Sequence, residues 1–160
     1  MAFEERRTWI EAVVTVLVPG WYFATIVPQA ATKPVGTIEY QWLLGVSVIV
    51  LVATIIGGII ATNIAALVAN EVAGARGDAD HLETSAAMAA LDRSDERDAG
   101  IGRLGGRIGG IVLGIAVLVP LGLAMAEREP FWIANSLYAA LVLSSLASSA
   151  TKLVAYRRGL

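Results

Sequence analysis

Trp42–Val68 reads WLLGVSVIVLVATIIGGIIATNIAALV, 27 consecutive residues without a charge. A hydrocarbon core about 30 Å thick is crossed by roughly 20 apolar residues at 1.5 Å each. This stretch therefore suffices to span a bilayer, with residues left over for tilt or for extension past the surface. Outward from it lie three further apolar runs: Trp9–Val27, Ile101–Ala126 and Phe131–Leu153. Arg6-Arg7 and Pro28 bound the first, and only Glu127-Arg128-Glu129-Pro130 separates the last two. Backbone in lipid must satisfy its own polar groups, and runs of this length do so as helices. The expected fold is all-α: one domain over 1–160, an integral membrane bundle of four transmembrane helices in two antiparallel hairpins. A polar loop over 69–100 joins the hairpins.

Composition agrees with that reading. Of 160 residues, 56% are hydrophobic and 16% charged, where soluble domains carry about 45–50% and about 25%; mean hydropathy is +0.67. With no cysteine, disulfide frameworks, thiolate metal sites and thiol nucleophiles drop out. The charged segment Met1–Arg7 precedes an apolar run but no small-residue cleavage site follows, so the first run is expected to be a retained helix.

Ten of the twelve lysines and arginines fall on one side if the N-terminus is cytoplasmic, leaving Lys33 and Arg128 outside. That asymmetry puts both termini on the cytoplasmic side of the membrane. Trp21, Tyr22, Tyr40, Trp42 and Trp132 form the outer aromatic belt on this reading, and Trp9 and Tyr156 the inner one. Val16-Leu17-Val18-Pro19 recurs as Val117-Leu118-Val119-Pro120, each in the first helix of a hairpin. A duplicated two-helix unit and a chance match in valine-rich sequence both account for it.

The third run carries the packing signal. Gly102, Gly106, Gly110 and Gly114 repeat at i+4, with Gly105 and Gly109 beside them. Glycine costs about 1 kcal/mol per position against alanine within a helix, and in membranes such a ridge permits close backbone approach. Ala140, Ser144 and Ser148 on the fourth run offer a matching small face. The excess of small surface favours a homo-oligomer, a homodimer first, or a place in a larger membrane complex.

Arg103 and Arg107, one turn apart, are candidates for an anionic lipid headgroup or for pairing with Glu11. Snorkelling to the interface is the plainer reading. His81, Glu71, Asp78, Asp80, Glu83, Asp92, Asp95, Glu96 and Asp98 supply oxygen and imidazole donors in the 69–100 segment. Their spacing matches no EF-hand loop and no two-histidine motif, so a solvated segment is expected, with no metal or cofactor. Ser94 or Asp95 would cap the third helix. Asn63 and Asn135, in opposite leaflets, are expected to be interhelical hydrogen-bond donors, with a polar path as the alternative. No catalytic motif and no basic–aromatic nucleic-acid surface is present, so neither an enzyme nor direct nucleic-acid binding is expected.

Asp95-Glu96-Arg97-Asp98 with Ile101-Gly102-Arg103, Phe131-Trp132-Ile133-Ala134-Asn135, Thr151–Leu160 (TKLVAYRRGL) and Phe3-Glu4-Glu5-Arg6-Arg7 with Trp9-Ile10 resemble a group of uncharacterised actinobacterial four-helix membrane proteins. The resemblance spans the chain and is densest in the C-terminal half; the glycine ridge is denser here than in that group. It implies a membrane partner in sensing or regulation, since similar families are often encoded beside a small helix-turn-helix regulator. The expected function is a non-enzymatic membrane protein acting by association with itself, a larger complex or a cytoplasmic regulator. The alternative is a small transporter or channel subunit moving a solute or ion.

Overall fold

The computed structural model describes residues 3–75 and 81–158; for 3–7, several positions between 59 and 70, 72–75 and 81–96 only the backbone is described. The described residues contain no strand. The elements are α1 (Phe3–Thr32), a short 3-10 turn (Val35–Thr37), α2 (Gln41–Ala75), α3 (His81–Ala116), α4 (Leu118–Met125) and α5 (Pro130–Arg158). Four helical stretches are long and apolar enough to cross a membrane: Thr8–Thr32, Gln41–Gly58, Arg97–Met125 and Pro130–Arg158.

Helix boundaries depart from the sequence reading in three places. Pro28 does not end α1, which continues to Thr32 with Pro19 and Pro28 inside it. Local side chains stitch this stretch: Thr25 Oγ1 donates to Trp21 O at 2.8 Å and Gln29 Nε2 to Thr25 O at 3.0 Å. Such bonding is how apolar helices tolerate proline. The 69–100 segment, expected to be an irregular loop, is helical through Ala75 and again from His81. Its many alanines, with Glu, Leu and Arg among them, are strong helix formers and outweigh its glycines. Residues 76–80 lie outside the described ones.

The third departure is a break at Val117 that divides the third span into α3 and α4. Pro120 has no N–H to offer Ala116 O and its ring crowds that turn. Hydrogen bonds from Val117 N to Leu113 O (2.9 Å) and from Leu121 N to Val117 O (3.2 Å) keep the axis continuous. Pro19, in the matching tetrapeptide, is fully buried in an unbroken α1.

α5 is the hub. It packs most extensively on α3, then on α1 and α4, while α2 packs on α1. The buried residues of α1, Thr8, Thr15, Pro19, Tyr22 and Ile26, are spaced by three, four or seven, the period that lines one helix face. The α3–α5 seam is a backbone contact. A Cβ added at Gly109 would stand 3.0 Å from Ser144 O and 3.1 Å from Ser148 Cβ. At Gly105 it would lie 2.7 Å from Lys152 Cγ. Ser144 Oγ donates to Gly109 O at 2.8 Å, a bond from one helix to the backbone of the next.

α4 ends in a Schellman turn: Arg128 N donates to Leu123 O and Glu127 N to Ala124 O, both at 3.0 Å. Glu127 holds the left-handed conformation (φ 50°), a place usually given to glycine. Pro130 then opens α5, where its missing N–H is harmless.

Replacing Glu127 by Gly should relieve the left-handed strain and raise stability by about 0.5–1 kcal/mol, read as a higher melting temperature in detergent. Gly109→Ala should lower it through the 3.0 Å clash. Gly106→Ala, with open space around its Cβ, should gain up to about 1 kcal/mol from helix propensity in the same melts.

Candidate functional site

Two clusters of chemistry-bearing side chains are held by α5, one near each end of the helices. At the end where α1 and α2 connect, aromatic and amide groups meet. Tyr22 on α1 and Tyr138 on α5 are almost wholly buried and stand edge to face, ring centres 5.3 Å apart. Phe23 packs beside both, and Tyr40 meets Phe131 edge to face at 5.1 Å. Tyr22 OH donates to Asn135 Oδ1 at 2.8 Å, and Asn135 Nδ2 donates to Phe131 O at 2.8 Å. The α1–α5 contact is therefore pinned by a hydrogen bond inside an apolar core, where leaving its acceptor bare would be costly.

This geometry revises two expectations. Tyr22 belongs to the core, with no exposed surface, whereas Trp21, Trp42 and Trp132 do remain exposed. Asn135 is the acceptor between helices; its donor is spent on its own helix. The side chain of Asn63 lies outside the described ones. Two further buried hydroxyls, Ser47 Oγ and Tyr138 OH, face each other without completing a hydrogen bond of regular geometry among the described residues.

At the opposite end Lys152 Nζ lies 3.9 Å from Glu11 Oε2, both side chains mostly buried. Arg157 stacks over the Trp9 ring, 5.5 Å from its centre. Glu11 thus pairs across to α5, not to Arg103 or Arg107, which are exposed on α3. Gly105 explains the choice: without a Cβ it lets the Lys152 stem lie across α3 and reach toward α1.

Of the expected packing residues, Ser144 and Ser148 do contact α3, and Ala140 is buried. Their partners are Gly105 and Gly109, one position off the ridge expected from the sequence. Gly102, Gly106, Gly110 and Gly114 are exposed, and a Cβ on any of them would meet nothing within 4 Å. The side chains of His81 and of Asp78, Asp80, Glu83, Asp92, Asp95 and Glu96 fall outside the described ones, as do those of the cap candidates Ser94 and Asp95. Tyr22, Tyr138, Ser47 and Lys152 were missed as site residues. The three-and-four spacing from Thr8 to Ile26 was the available signal for Tyr22, and a lone lysine at the end of an apolar run was the signal for Lys152.

The fold and these clusters define an all-helical protein with four apolar helices of membrane-spanning length. No family model, curated protein or solved structure matches the chain.

Tyr22→Phe should cost about 1 kcal/mol by leaving Asn135 Oδ1 without its donor. Tyr138→Phe removes a hydroxyl that faces only Ser47 and makes no bond of regular geometry, so its cost should be smaller than that of Tyr22→Phe. Denaturation of both variants in mixed micelles against the wild type checks the contrast.

Proposed function

We propose that this chain is a four-span protein of the bacterial cytoplasmic membrane, in two antiparallel hairpins with both termini inside. It is non-enzymatic and acts by association, as an accessory or regulatory subunit that forms a homo-oligomer or joins a larger membrane complex. A cytoplasmic regulator docks on the acidic-basic segment 69–100 that joins the hairpins. The lopsided placement of basic residues supports the orientation, and the four apolar helices support the membrane setting.

One observation carries the reading: Gly102, Gly106, Gly110 and Gly114 are exposed, and a Cβ on any of them would meet nothing within 4 Å among the described residues. Four glycines on an outward helix face weaken the helix without aiding the fold of the single chain. Close approach by another helix is what such a face provides in a membrane, where contact area replaces hydrophobic drive. A transport path past Asn63 and Asn135 has less support, because Asn135 is buried and its amide is engaged at both ends.

The test is the mass of the particle in nanodiscs after gentle extraction, with co-purifying proteins identified. An oligomer or heteromer is expected. Gly106→Leu and Gly110→Leu should each weaken it by about tenfold or more without lowering the melting of the single chain. A monomer that brings nothing with it would sink the proposal and move attention to flux assays.

A further inference from the structure

α1 and α4 both pack chiefly on α5, which leaves a cleft between them at the end where α4 turns into α5. Its volume is about 340 Å³, within the range of small-molecule sites. Val27 and Ala30 form one wall, Val119 and Leu123 the other, and Trp132 and Asn135 lie on the floor. The floor presents almost no free polarity, since the Asn135 amide is engaged with Tyr22 and Phe131. From Phe23 to Ala30 the wall runs about 10 Å along α1. The cleft is thus a lengthwise, apolar slot open at the side.

The rim differs from the walls. Lys33 N bonds Gln29 O, which carries the last turn of α1 one step beyond Ala30, so Lys33 stands on the same strip as that wall. Arg128 N bonds Leu123 O, which ties the Arg128 backbone to a residue of the other wall. Both residues are exposed. They are the two basic residues that the charge pattern assigns to this side, and each follows a wall residue of the cleft, Lys33 three positions after Ala30 and Arg128 five after Leu123. Glu127 and Glu129 flank Arg128, and Glu39 lies in the α1–α2 connection. The rim therefore offers cations and anions together.

We infer that this cleft is a site for a zwitterionic aminophospholipid, one acyl chain in the slot, the phosphate at Lys33 and Arg128, the ammonium toward Glu127 and Glu129. The inference rests on the membrane-spanning reading above. An acyl chain gains no hydrophobic free energy on moving from bilayer to cleft, because both are hydrocarbon. Selectivity must come from the headgroup, and the mixed rim charge matches a phosphate and an ammonium better than a net anion.

The experiment is native mass spectrometry of the full chain released from nanodiscs holding equal parts phosphatidylethanolamine, phosphatidylglycerol and diacylglycerol. One retained phosphatidylethanolamine is expected. Ala30→Trp and, from the opposite wall, Val119→Phe should each cut its retention by about fivefold or more. The paired surface variant Lys33→Gln with Arg128→Gln should cut it by about threefold or more, and Arg103→Gln with Arg107→Gln should leave it unchanged. Two walls and a surface pair are probed, so misfolding of one variant does not decide the result. Equal retention of the three lipids, preference for phosphatidylglycerol, or indifference to the wall variants overturns the site. A wall variant that changes the protein mass of the particle also overturns it, assigning the cleft to a second copy. Failure of the wild type to enter nanodiscs overturns the membrane reading itself, whereas entry without selective retention overturns the lipid site alone.

Discussion

The approach of α3 to α5 at Gly105 and Gly109 is the constraint on which the rest of the architecture depends. With no Cβ on either residue, Ser144 and Ser148 reach the α3 backbone, and Ser144 bonds Gly109 O directly. The gain comes from van der Waals contact and one interhelical hydrogen bond, the terms that close backbone approach provides. The same contact turns the other face of α3 outward. Gly102, Gly106, Gly110 and Gly114 are exposed because Gly105 and Gly109 are taken.

α5 then serves two neighbours with two faces. Toward α3 it presents small residues, and toward α1 it presents Phe131, Asn135, Tyr138 and Val142. The small face lets backbones touch; the large face fills the wider gap with rings and closes it with the Tyr22–Asn135 bond. At the far end Lys152 joins both arrangements, its stem across Gly105 and its ammonium facing Glu11. α1 and α4, each held to α5, are kept apart from one another, and the cleft between them follows from that spacing.

Legibility in the sequence tracked how local the determining physics was. Uninterrupted apolar length is a local property, and four helices of membrane-crossing length were read from it. The ends were less legible. Pro28 reads as a stop only if nothing else supports the turn, and Thr25 and Gln29 supply that support from within the helix. The alanine-rich stretch around 81–100 reads as a loop by polarity and as a helix by propensity, and propensity governed the backbone.

What the sequence determined by itself was helical class, the number of helices long and apolar enough to cross a membrane, and the presence of a small-residue surface on α3 and α5. These follow from bilayer thickness and from glycine's lack of a side chain, which need no knowledge of neighbours. Only the tertiary structure decided which glycines are in contact, that Glu11 faces Lys152 and not Arg103 or Arg107, and that Tyr22 is core and not belt. Gly105 and Gly106 differ by one position, about 100° around the helix, and composition is the same on either side of that step. The rotation of α3 about its axis is set by what packs against it, and that information resides in the facing surface of α5.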